Sequence, residues 1–126
     1  MDTRNKIIRP EAAIEIARAG RTRLVTGHFD PLLPAHAARL WEIRSVEPDT
    51  PIVAVVLDPP RPILGAPARA ELVAALAAVD YVITLDNADA EGLLGRIPAA
   101  EVIREEDADR RRTQAFIEHV QRRHQP

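Results

Sequence analysis

The chain has 126 residues, the usual size of one domain with a real core, and 46% of them are apolar while only four are aromatic, so the core must be layered from Ala, Val, Leu and Ile. Seventeen basic against nineteen acidic side chains give a net charge of −2, which supplies no general attraction to nucleic acid or to an anionic membrane surface. Cysteine is absent, which removes disulfides, thiolate metal sites and thiol nucleophiles together. No apolar run approaches the roughly 18 residues that span a membrane, and the charged start lacks the apolar stretch of a signal peptide, so a cytoplasmic protein is expected.

Pro10 suits the first turn of a helix that carries Ile14, Ala17 and Arg18 at helical spacing and stops at Gly20. Arg23-Leu24-Val25-Thr26 reads as a short strand ending at Gly27, and two prolines make the segment from His28 to Pro34 a loop. A helix is expected over Ala35–Ser45, broken by Pro48 and Pro51. Ile52–Leu57 is a continuous apolar run of the kind buried on both faces of a sheet.

Four prolines and a glycine between Asp58 and Pro67 predict an irregular loop, the most natural place for a site. A helix over Ala68–Ala78 follows, with Leu72, Ala75, Leu76 and Val79 expected inward. Tyr81–Leu85 is a third strand, Asp89–Gly95 a short helix, Val102-Ile103 a weak fourth strand and Asp107–Arg123 a long charged helix. This alternation predicts one α/β domain over residues 1–126: a Rossmann-like open parallel sheet with right-handed crossovers and helices on both faces. Ligands of such sheets bind outside the carboxyl ends of the strands, where the strand order reverses, so the loops after the first two strands should meet there.

The segment Leu24–His36 resembles the first strand and signature loop of the HxGH nucleotidylyltransferases, usually N-G-x-F-D-x-x-H-x-G-H, with Gly27, Phe29, Asp30 and His36 on the pattern. A second block, Arg61-Pro62-Ile63 through Arg69 to Val82, is similar to the branch acting on sugar and polyol phosphates, such as the glycerol-phosphate cytidylyltransferases. Lys6-Ile7-Ile8 and the following helix look like the lead-in of heptose-phosphate adenylyltransferase domains. The resemblance implies attack by a substrate phosphate on the α-phosphorus of ATP or CTP with release of pyrophosphate, assisted by Mg²⁺.

It implies roles as well. His36 would act catalytically as a phosphate donor at a helix start, and Gly27 would admit the backbone to the nucleotide. Phe29 and Asp30 would hold the loop, while Arg69 and Arg61 would bind phosphate. No protein metal ligand is implied. Partners would be a nucleotide and a phosphorylated small molecule, without nucleic acid or membrane, and a homodimer is a possible assembly.

The departures from the pattern fall on the phosphate grip. Leu33 stands at the first motif histidine and Ala35 at the intervening glycine, and no lysine follows Lys6. Losing one preorganised donor costs about 10²- to 10³-fold in rate, so weak or absent turnover is expected, with His28 the one candidate to compensate. The alternative is a non-catalytic nucleotide- or phosphate-binding module or interaction subunit. A flavodoxin-like domain would leave both matched blocks unexplained. Structural readings stand beside the functional ones: Asp30 as a loop cap, Arg69 with a local anion at its helix start, Arg110-Arg111-Arg112, His119 and His124 as solvated surface. Gly92 and Gly95 lack the strand-to-helix setting of a dinucleotide fingerprint.

Overall fold

The structure is a computed structural model that describes residues 2–97 and 101–123; His124 lies outside them. Four strands, β1 (Arg23–Gly27), β2 (Ile52–Leu57), β3 (Tyr81–Leu85) and β4 (Glu101–Arg104), form one parallel sheet in the order β3-β2-β1-β4. The α/β architecture with a parallel open sheet and helices on both faces is therefore as expected. β1 pairs with β2 from Arg23 opposite Ile52, and with β4 from Arg23 opposite Glu101.

Alternation along the central strands sorts the core into two layers. Val25, Ala54, Val56 and Val82 face one side, against α2 (Pro34–Val46) and α3 (Ala66–Ala74). Leu24, Val53, Val55 and Ile83 face the other, against α1 (Pro10–Ala19) and α4 (Asn87–Arg96). Covering both faces is what the unbroken apolar run of β2 requires, since all six of its residues are buried. Ile8 N–H donates to Val82 C=O at 2.9 Å, so the N-terminal segment caps part of the outer edge of β3.

The third helix departs from expectation. It begins at Ala66 and ends at Ala74, and its inner face is Arg69, Ala70, Val73 and Ala74, while Leu72 is 44% exposed. A buried arginine takes the place that an apolar residue would normally claim, so Leu72 and Ala75 lie outward, while Leu76 and Val79, beyond the end of the helix, pack inward as expected. α4 is longer than its apolar pattern suggested because Asp86 caps it, accepting Asp89 N–H at 2.8 Å.

The chain moves from β1 outward to β2 and β3, then returns to place β4 on the opposite side of β1. The reversal point is therefore the crevice between the carboxyl ends of β1 and β4. The loop after β1 and the last helix, α5 (Glu106–Arg123), both leave from it.

Candidate functional site

The loop after β1 is held in shape by three buried polar side chains. Asp30, 3% exposed, accepts Ile63 N–H at 2.6 Å and Leu64 N–H at 2.8 Å, which ties it to the proline loop. Arg69, fully buried, donates to the carbonyls of Leu64 (3.0 Å), His28 (3.0 Å) and Leu57 (2.9 Å) and to Asp58 at 2.5 Å. Its anion partner is thus a carboxylate of this chain. His36 occupies the third position of α2: its backbone N–H donates to Leu33 C=O, and its Nδ1 accepts Leu33 N–H at 2.9 Å. A nitrogen that accepts an N–H carries no proton, so the ring proton lies on Nε2.

His36 Nε2 stands 2.8 Å from Asp109 of α5, with the carboxylate off the N–H axis, so the contact is a close charge–dipole approach rather than a linear hydrogen bond. Both side chains are 1% exposed. The other oxygen of Asp109 accepts the successive backbone N–H groups of His28 (2.8 Å) and Phe29 (3.3 Å), and Arg112 donates to the carboxylate at 2.8 Å. Phe29 has a φ of 50°, a backbone turn that aims both N–H groups at one point. Gly27 makes the approach possible: a Cβ there would lie 2.5 Å from the Asp109 oxygen.

Three hydrogen-bond donors and the Nε2–H edge of His36 therefore converge on one carboxylate at the crevice, an anion nest filled by the chain itself. Burial pushes the Asp109 carboxyl up, but His36 and the two backbone N–H groups outweigh it and hold it below the ordinary carboxylate range. Among the described residues no group of three or more His, Asp or Glu side chains is placed to hold a Mg²⁺ ion, and the donors around Asp109 suit an anion, not a cation.

Outside the nest lies a cleft of about 270 Å³, lined by His28, Asp30, Arg61, Ile63, Arg110 and Thr113. Both expected loops reach it, as does α5, whose Thr113 hydroxyl donates to Asp30 C=O at 2.9 Å. Burial pushes the His28 imidazole below its ordinary value, helped by the charges of Arg110 and Arg69 and opposed by Asp109 and Glu106. Another groove, between α2 and β4, contains Arg23, Arg39, Glu42, Glu47 and Glu101, and most of its charges are already paired, although Arg23 Nε has no hydrogen-bond partner among the described residues. Arg39 pairs with Glu42, Arg21 pairs with Glu47 and Glu101, and Arg23 caps the last carbonyls of α2.

The structure thus gathers Gly27, His28, Phe29, Asp30 and Arg61 around the crevice, but places neither His36 nor Arg69 in the open cleft. His36 is turned inward by its bond to Leu33 and by Asp109, and Arg69 is consumed by four acceptors. Asp109 and Arg112 are the members that sequence reading missed. Arg112 belongs to a run read as solvated surface, whereas its guanidinium joins the nest.

The two titrations act in the same direction. A histidine depressed in the folded state binds fewer protons there than in the unfolded chain, so stability is full above about pH 6.5 and falls below it. A depressed carboxylate contributes stability that is present above about pH 4 and lost as pH falls through its folded value. The urea midpoint should therefore drop in two steps between pH 8 and pH 3, with His28→Gln removing the upper one and Asp109→Asn reducing the lower, to which the partly exposed Glu47 carboxyl, held down to about 2 by Arg21, adds a smaller share. A midpoint constant over that range would contradict both assignments.

The fold and nest define a small parallel α/β domain with a self-occupied anion site at the strand-order reversal. Comparison of the sequence with protein-family models and with curated proteins finds no match.

Proposed function

We propose that this chain is a non-catalytic phosphate-binding module with a nucleotidylyltransferase-like fold, holding a phosphorylated small molecule in the cleft beside His28, Arg61 and Arg110. The observation that carries this reading is the Asp109 carboxylate on the N–H groups of His28 and Phe29. Nucleotidyl transfer, as the resemblance implies it, needs a triphosphate against the Gly27–His36 loop. While that carboxylate is seated, a second anion about 4 Å away is opposed by about 4 kcal/mol at an effective dielectric of 20. With Leu33 and Ala35 also departing from the motif, binding survives more readily than turnover.

The cleft itself favours an anion. Among the described residues Arg61 has no carboxylate partner, and the i,i+3 pair of Arg110 with Asp107 is exposed and weak. Its volume of about 270 Å³ falls just below the roughly 300–1,000 Å³ of pockets that enclose whole drug-sized ligands, which suits a phosphorylated polyol better than a nucleoside triphosphate.

Calorimetry with glycerol phosphate, sugar phosphates, ATP and CTP, with and without Mg²⁺, tests the proposal alongside a pyrophosphate-release assay. Binding without pyrophosphate release is expected. Arg61→Ala should weaken binding about tenfold, the worth of one charge-assisted hydrogen bond of about 1.5 kcal/mol. Robust pyrophosphate release that His36→Ala abolishes would establish the transferase instead.

A further inference from the structure

We propose that Asp109 is a built-in competitor for the ligand, a latch that a phosphate group expels from the nest to release the start of α5. The inference rests on the phosphate-binding reading and concerns how that site is regulated. Its first support is the chemistry of the nest. The N–H groups of His28 and Phe29 and the Arg112 guanidinium converge on one anionic group, the Nε2–H of His36 stands beside it without a hydrogen bond of its own, and Gly27 leaves the space. A phosphate carries more charge and more acceptor oxygens than a carboxylate, so it is the stronger occupant of the same donors.

The second support is the way α5 is attached. Asp109 is its sole buried residue, and from Gln114 to Arg123 every residue except the half-buried Ile117 is exposed. What fastens its first half is polar: Thr26 hydroxyl to Glu106, Thr113 to Asp30 C=O, and Asp109 to the nest. Lifting this turn therefore exchanges mainly hydrogen bonds with water and uncovers only the edge of the core at Phe29 and Leu40. The cleft, which Arg110, Thr113 and His28 line together, gives a ligand access to the flank of the same turn. In the latched state the competent fraction is small, so apparent affinity is reduced by that fraction. Removing the carboxylate removes the reduction.

The test titrates inorganic phosphate into wild type, Asp109→Asn, Asp109→Ala and Arg61→Ala by calorimetry and follows hydrogen exchange of the α5 amides. Asp109→Asn keeps the shape of the side chain and guards against loss of fold in the alanine variant. Phosphate should bind the Asp109 variants at least about tenfold more tightly than wild type and raise their Tm. In wild type, saturating phosphate should speed exchange over the first turns of α5. Equal affinity in wild type and Asp109→Asn, with α5 exchange unchanged by phosphate, would overturn the latch. Binding lost in Arg61→Ala but unaltered in Asp109→Asn would sink the latch and leave the cleft reading standing. Tight binding by Asp109→Asn with no effect of Arg61→Ala would do the reverse, and no phosphate binding by any of the proteins would remove both.

Discussion

Replacing Arg69 by methionine should destabilise the domain by about 3–5 kcal/mol, a large share of the roughly 5–15 kcal/mol that holds a domain of this kind together. Methionine keeps the volume of the stem, so the loss isolates the guanidinium. That group is the shared donor of three chain segments: the end of β1 through His28 C=O, the end of β2 through Leu57 C=O, and the proline loop through Leu64 C=O and Asp58. Without it the three carbonyls lose a charged donor in a place that water reaches poorly. Asp58 is 45% exposed and recovers solvation, which keeps the estimate from rising further. Arg69→Lys should restore less than half of the loss, because a single ammonium on a flexible stem cannot span four acceptors in a fixed fork. Urea unfolding of the three proteins measures this, and a methionine variant within about 1 kcal/mol of wild type would show that the acceptors find other donors.

The same residue shows why part of the fold was legible in the sequence and part was not. The run Ile52–Leu57 announces a strand buried on both faces whatever surrounds it, and Pro10 opens α1 by local backbone chemistry alone, whereas Gly20 ends it with an extended backbone (φ 176°) that any residue adopts, not a left-handed stop. The inner face of α3 depends instead on acceptors that other loops present to Arg69. Ala70, Val73 and Ala74 also stand at helical spacing, but the sequence offers no reason to prefer them over the larger Leu72, which lies outward.

The crevice follows the same division. Gly27, Phe29 and Asp30 stand together because they are neighbours on one loop, and a local pattern can show that. His36 looked like a free donor because its inward anchor, Asp109, lies far along the chain and reaches it only once β4 has paired beside β1. A signal was present in one respect. A histidine three residues after Leu33, at the start of a helix, has the spacing for reaching back to the cap N–H, as glutamate or glutamine does in a capping box. The Arg110-Arg111-Arg112 run gave no such hint, since its members point to different neighbours: Arg110 to the cleft and Arg112 to Asp109.

Asp30→Ala should cost about 2–4 kcal/mol and, at temperatures where the variant stays folded, should also weaken phosphate binding in the cleft. The carboxylate is the acceptor for two consecutive N–H groups, Ile63 and Leu64, and these bonds are the clamp between the loop after β1 and the proline loop that carries Arg61. Alanine leaves both donors without a partner. Ile63 is 54% exposed, so water repairs part of the damage there, which places the cost nearer the lower end. Asp30→Asn retains one acceptor oxygen but turns an amide N–H₂ toward the other N–H, so about half of the stability should return. The Thr113 contact is unaffected in either variant because it uses the backbone carbonyl of Asp30. α5 therefore stays seated while the opposite wall of the cleft loosens, and the binding loss comes from Arg61 losing its fixed position. Unfolding curves together with phosphate titration separate the two effects: a stable Asp30→Ala protein with wild-type affinity would show that the proline loop holds its shape without the clamp.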